Sequence, residues 1–252
     1  MTAQLLAKAE NTRAVEIIRF NTAAQAERAA AAVLRRHITQ TANSVLGLAT
    51  GRTMLPVYAW LRQWHREGEL SFAQSTSFNL DEYCGLASDD PSSFVSYMRR
   101  NLFDHVDMAK GRFHFPDQTH PEAFDARIRD SGGIGLQLLG IGRNGHIGFN
   151  EPGADRKSRT HIVTLSESTR KANAGDFPAG TPVPKQAVTM GIATILEAER
   201  IVLLATGSGK ADILRRAFQG PVGSDCPASY LQLHNHVTVI CDSAAAAHLE
   251  EP

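Results

Sequence analysis

Between Gly140 and Gly153 the chain reads GIGRNGHIGFNEPG, which gathers Asn144, His146, Asn150 and Glu151 into one glycine-rich segment behind an apolar run. Histidine exchanges protons near neutral pH, and a carboxylate in the same curled loop can orient its imidazole and favour the charged form. Opening a sugar ring needs such a shuttle. The segment also fits a bland reading, in which His146 is tied to a backbone carbonyl and Glu151 is a surface residue. A second group, FNLDEY, sets Asp81 and Glu82 just after a short apolar strand. Burial there would raise the pKa of Asp81 and let it move a proton between adjacent carbons; the alternative is that Asp81 caps a helix or turn.

Two further segments suit an anion. Thr50, Gly51, Arg52 and Thr53 follow one strand, and Gly207 to Lys210 follow another. Glycines let backbone N–H groups approach a ligand, the following helices add their positive ends, and Lys210 supplies a formal charge. Neither segment has the GxxxxGK[ST] spacing of a nucleotide-binding loop, so a small phosphate is expected rather than ATP. Arg170, within SESTRKAN, is in a position to reach such a phosphate. His234 and His236 alternate as strand residues do, with no third ligand nearby, so no metal site is expected. Trp60 and Trp64 stand one helical turn apart and read as packing residues, while Arg35, Arg36, Arg215 and Arg216 read as solvated helix positions.

These groups need a scaffold that collects strand ends. Apolar strand-like runs alternate with segments of helical period, which predicts a single α/β domain over residues 1–252 with a Rossmann-like, mostly parallel sheet flanked by helices on both faces. Strands are expected at 45–49, 77–80, 135–141, 161–165, 201–205 and 237–241. Helices are expected from Thr22 to His37 and over 55–66, 93–103, 190–198 and 210–218. The loop from Phe177 to Lys185, rich in Pro and Gly, is long enough to act as a lid. No internal repeat, low-complexity tract or linker divides the chain.

With 26 basic and 26 acidic residues, no global field draws the protein to nucleic acid or an anionic membrane. Three widely spaced cysteines without a CxxC pair argue against a disulfide framework or zinc and for a reducing cytoplasm. Lys8, Glu10, Arg13 and Glu16 interrupt the N-terminal stretch, so no signal peptide or membrane span is expected there.

Taken together, LGLATGRT (46–53), FNLDEY (78–83), LGIGRNGHIGFNEPG (139–153), SRTHIVTL (158–165), PKQAVTMGIATIL (184–196) and GSGKA (207–211) resemble the glucosamine-6-phosphate deaminases, within a group that includes 6-phosphogluconolactonases. FNLDEY with GHIGFNEPG is the deaminase form. The resemblance spans nearly the whole chain. It implies that Asp81 is the base at C2 of the sugar, that His146 with Glu151 opens the ring, and that Lys210, Arg170 and the Thr50–Thr53 turn hold the phosphate. It implies no metal or organic cofactor. Two residues depart from the usual pattern. Asn144 stands where well-known members carry Asp, leaving an amide and Glu151 to orient His146. Arg52 stands where Gly or Ser is usual, and either adds a phosphate contact or points into solvent. Allosteric hexameric members continue further at the C-terminus, so a monomer or small homo-oligomer without effector control is expected. Galactosamine 6-phosphate, differing at C4, is the alternative substrate. A lactonase would have no use for a C2 base, and a sugar-phosphate sensor would need a DNA-binding domain for which the N-terminal residues leave little room.

Overall fold

Thr22 begins the first helix by a reciprocal cap. Its hydroxyl accepts from the Gln25 N–H while the Gln25 side chain accepts from the Thr22 N–H, an arrangement that contributes about 1 kcal/mol. Helix α1 (Ala23–Gln40) then buries Ala26, Ala30, Ala31, Leu34, His37 and Ile38, the spacing of one helix face. It runs three residues beyond the expected end at His37. The computed structural model describes residues 15–250, so the reading of residues 1–14 as free of a targeting signal lies outside the described residues. Among the described residues, no helix is long and apolar enough to cross a membrane.

The strands in chain order are β1 (Val15–Phe20), β2 (Val45–Leu48), β3 (Thr76–Asn79), β4 (Asp81–Tyr83), β5 (Phe113–His114), β6 (Leu136–Leu139), β7 (His161–Thr164), β8 (Gln186–Thr189), β9 (Ile201–Ala205) and β10 (Val237–Asp242). The remaining helices are α2 (Leu55–Arg66), α3 (Phe94–Asn101), α4 (Pro121–Asp130), α5 (Glu167–Asn173), α6 (Ile192–Leu196) and α7 (Ala211–Gln219). Seven strands form an all-parallel sheet in the order β1-β10-β9-β6-β2-β3-β5. From β2 the chain steps outward to β3 and β5. It then returns to lay β6 beside β2 on the other side and steps away through β9 and β10. Right-handed crossovers made in opposite directions put their helices on opposite faces, so α2 and α7 flank the sheet from two sides. The reversal opens a crevice between the carboxyl ends of β2 and β6, where ligands gather in such sheets. β6 and β9 are buried along their whole length, as central parallel strands require.

A second, antiparallel sheet of three strands, β4-β8-β7, was not expected. The chain passes from β3 directly into β4, with Leu80 as the hinge. The Leu80 N–H still donates to Leu48 of the parallel sheet, while its carbonyl accepts from Met190, just past β8. FNLDEY therefore spans two sheets. Behind the second sheet lies a separate apolar cluster of Tyr83, Phe149, Leu165, Phe177, Val183 and Ala187. Phe177 and Val183 anchor the 177–185 loop in it. The sequence also predicts no strand before Val45, whereas the structure adds β1 at the sheet edge. Its charged Glu16 and Arg19, three residues apart, break any strand alternation and hid it, and edge strands tolerate such residues.

Two other expectations change and a third, the packing of Trp60 and Trp64, holds. His234 and His236 precede β10; His234 Nε2 bonds to the Ala198 carbonyl at 2.7 Å and its Nδ1 accepts from the His236 N–H. Both ring nitrogens of His234 are thus engaged by the backbone. Among the described residues no group of three or more His, Cys, Asp or Glu is placed to hold a metal. Arg35 is not merely solvated, since it pairs with Glu69 at 2.8 Å and lies over the Trp64 ring. Trp60 and Trp64 pack together, with ring centroids 5.6 Å apart.

Candidate active site

The expected site residues all lie at the carboxyl edge of the parallel sheet or on the elements that cover it. Asp81, first residue of β4, is buried, and no hydrogen bond reaches its carboxyl group from the described residues. Burial, and after it the charge of Glu82, pushes its pKa up to about 8. Glu82 points the other way, as successive strand residues do. Its carboxylate accepts from the Tyr83, Phe94 and Val95 N–H groups at 2.8, 2.9 and 3.0 Å and so caps α3. The capping role open to Asp81 thus belongs to its neighbour. Burial raises the pKa of Glu82 against these three bonds.

The loop after β6, which carries His146, packs against this carboxyl group through Gly148, so closely that a Cβ there would stand 3.5 Å from Asp81 Oδ2. Thr189, the antiparallel partner of Asp81, accepts from the Phe149 N–H, and Asn150 donates to the Ile147 and Met190 carbonyls. At His146 the geometry assigns the proton. Asn144 Oδ1 accepts from the His146 backbone N–H at 3.2 Å and contacts ring Nδ1 at 2.7 Å. A backbone N–H can only donate, so the amide presents its oxygen; Nδ1 must then carry the hydrogen, and Nε2 is left as the basic nitrogen. The ring sits so near Gly142 that a Cβ at 142 would overlap it.

Burial lowers the His146 pKa, the charge of Glu151 opposes this, and Lys210 adds to it. Glu151 does not make the ring's hydrogen bond, contrary to the expectation that it orients the imidazole. Its carboxylate accepts from Ser166 at 3.0 Å and from the Thr169 hydroxyl, both at the start of α5. Its influence on His146 is through charge.

The two anion turns share one backbone design. Gly51 (φ 109°, ψ 166°) and Gly207 (φ 86°, ψ 154°) each take a positive φ, and each leads through a three-residue 3-10 turn into a helix, α2 or α7. A positive φ favours glycine, and the turn that follows leaves N–H groups aimed outward. The turns follow β2 and β9, the two neighbours of β6, so they flank the histidine loop. Lys210 donates to the Ile141 carbonyl at 2.6 Å, and burial followed by Arg143 lowers its pKa. Arg52 is mostly exposed and stands 3.8 Å from Asp176, a long contact worth little in water. That contact brings the end of the α5 segment against the Thr50–Thr53 turn. Arg170 lies on α5, its Nε buried without a partner among the described residues.

Several supports were not foreseen. Tyr97 donates to the Gly51 carbonyl at 2.7 Å, fixing the first turn. Asp242, at the end of β10, accepts from the Gly207 N–H at 3.0 Å and fixes the second. Asp242 was findable, because it is a carboxylate at the carboxyl end of a predicted parallel strand. Tyr97 gave no such signal.

The family model described as glucosamine-6-phosphate isomerases/6-phosphogluconolactonase matches residues 19–240. A glucosamine-6-phosphate deaminase of Rhodopirellula baltica is 48% identical over 247 residues, covering 96% of this chain and 98% of its own. The chain belongs to the glucosamine-6-phosphate deaminase family. Glucosamine-6-phosphate deaminase 2 of Bacillus subtilis is 47% identical over 87% of this chain and 92% of its own. The solved structure of a monomeric glucosamine-6-phosphate deaminase superposes with a TM-score of 0.90 at 44% identity, over 92% of this chain and 99% of that one. The 6-phosphogluconolactonase of Trypanosoma brucei, at 19% identity and a TM-score of 0.70 over 93% of this chain and 98% of its own, shares the fold. The deaminase family thus uses the same α/β architecture as these lactonases.

Proposed function

We propose that this chain converts glucosamine 6-phosphate to fructose 6-phosphate and ammonium. The observation that carries the reading is Asp81: a buried carboxyl group, free of hydrogen bonds from the described residues, whose pKa burial raises to about 8 beside the histidine loop. Such a group is a stronger base than an exposed aspartate and is suited to taking a proton from carbon. A lactone hydrolysis has no use for it.

In the proposed sequence His146 Nε2 takes the proton of the C1 hydroxyl and returns one to the ring oxygen, which opens the pyranose. Burial keeps the imidazole neutral before this transfer, and the Glu151 charge stabilises the imidazolium formed during it. Asp81 then removes the proton at C2, and C1 is reprotonated. The resulting imine at C2 takes up water and releases ammonium, leaving the ketose phosphate. Lys210, Arg170 and the N–H groups of Thr50, Gly51 and Thr53 hold the phosphate, which fixes the sugar against the two proton carriers. A monomer or small homo-oligomer working in the cytoplasm accords with three free cysteines and with the monomeric relative of the same fold.

The experiment is release of ammonium and fructose 6-phosphate from glucosamine 6-phosphate, with galactosamine 6-phosphate alongside. Because Asp81 must be ionised to act, kcat/KM is expected to fall as the pH drops through about 8. Turnover of the galacto epimer alone would change the substrate and keep the chemistry. No release from either substrate by folded protein would refute the deaminase reading.

A further inference from the structure

The turn that presents His146 also presents a cation with no role in the site as built so far. Residues 142–145 form a tight turn closed by the Gly145 N–H on the Gly142 carbonyl at 3.0 Å, and the Gly142 N–H in turn donates to the His146 carbonyl at 2.9 Å. The far side is pinned as well. Ala228 N–H donates to the Gly145 carbonyl at 2.9 Å, and Cys226 Sγ fills the space beside Gly145. Arg143, second in this turn, therefore starts from a fixed backbone. Its guanidinium reaches over the GSGK turn, with Nη2 3.7 Å and Nε 3.8 Å from where a Cβ on Gly209 would stand.

This places two cations together. Arg143 is close enough to Lys210 to lower its pKa, second only to burial. Among the described residues no carboxylate forms an ion pair with Arg143. Neighbouring like charges repel, and an anion seated against both turns the repulsion into attraction. A phosphate monoester dianion fits the need, because its oxygens accept the planar fork of a guanidinium and the ammonium of a lysine together.

We propose that Arg143 is a phosphate-binding residue of this enzyme and that it completes, with Lys210, a two-cation clamp over the Gly207–Lys210 turn. The inference rests on reading that turn as the phosphate site. It has a consequence for catalysis: Arg143 grips the phosphate, and the next residue, Asn144, holds the His146 ring. One rigid turn thereby sets the distance between the remote anchor and the proton carrier, and binding energy at the phosphate positions the sugar for ring opening.

The test uses the full-length enzyme with Arg143→Ala, Arg143→Lys and Lys210→Ala, reading KM, kcat, the inhibition constant of inorganic phosphate and thermal stability. A charge-assisted hydrogen bond worth about 1.5–3 kcal/mol predicts that Arg143→Ala raises both KM and the phosphate inhibition constant roughly 10- to 100-fold, with kcat changed far less. Arg143→Lys is expected to recover part of the loss. If Lys210→Ala weakens phosphate inhibition and Arg143→Ala does not, the role of Arg143 is refuted while the phosphate site stands. If neither variant affects phosphate inhibition, the site itself is misplaced and both readings fall. A lower kcat or melting temperature in Arg143→Ala with unchanged phosphate inhibition would mark a purely structural turn residue and overturn the proposal.

Discussion

Asp81→Asn should remove activity and stabilise the fold, and the second effect should depend on pH. The same burial that makes Asp81 a strong base opposes its ionisation in the folded state. In the unfolded chain its carboxyl group titrates at the ordinary value of 3.8, and in the folded protein at about 8. Below the lower value both states are protonated and the stability is fully present. As the pH rises the unfolded state ionises first, so stability drains away until the folded carboxyl also ionises near 8, and is constant above that. At about 1.4 kcal/mol per pH unit, the loss between pH 5 and 8 is ~4 kcal/mol, an upper figure for one buried group. Asparagine has nearly the same shape and no charge to bury. Urea unfolding of both proteins at pH 5 and pH 9 should therefore show the variant gaining on the wild type by up to ~4 kcal/mol at the higher pH. Glu82 is present in both proteins, so its own titration largely cancels. Activity at the pH optimum should fall by about 10²- to 10⁴-fold, the range for losing a general base. A stability difference that stays constant to within about 1 kcal/mol between the two pH values would show that burial does not hold this carboxyl group protonated, and the argument for Asp81 would fail.

Two substitutions in the histidine loop test its geometry. Gly142→Ala puts a methyl group where the His146 ring lies; kcat should fall by roughly 10²-fold, the cost of displacing a reacting group by about 1 Å, while circular dichroism stays unchanged. Full activity in this variant would mean that the ring does not need its observed position. Asn144→Asp sets a carboxylate against Nδ1, where the amide oxygen now stands at 2.7 Å. It should raise the imidazole pKa by about 1–3 units, read by NMR of the ring, and a pKa left unmoved would contradict the assigned hydrogen bond.

Most of the scaffold was legible where structure is local. Helix α2 was read at its observed bounds, and the Thr22 cap and strand β9 likewise, because caps and apolar periodicity act within a few residues. The short strands were not legible. β4 has three residues and β5 two, too few to show alternation. Edge strand β1 owes its place to pairing with β10, as Val15 does with Val237 at the other end of the chain. The site divides in the same way. Sequence alone picked out Asp81, His146 and the two glycine turns, since a strand end followed by polar residues and glycine marks the reactive edge of a parallel sheet.

Which neighbour does what was a tertiary decision. Asp81 and Glu82 are adjacent carboxylates with nothing in their spacing to rank them. The pleat of β4 turns one towards the histidine loop and the other into the start of α3, where three N–H groups claim it. The sequence assigns Glu151, with the Asn144 amide beside it, to orient His146; in the fold Asn144 alone contacts the ring, because Ser166 and Thr169 at the start of α5 take Glu151. The types of the reacting groups are written in the chain, because chemistry belongs to side chains. Their partners, burial and protonation depend on segments far apart in sequence, and those are fixed only when the two sheets and α5 pack together.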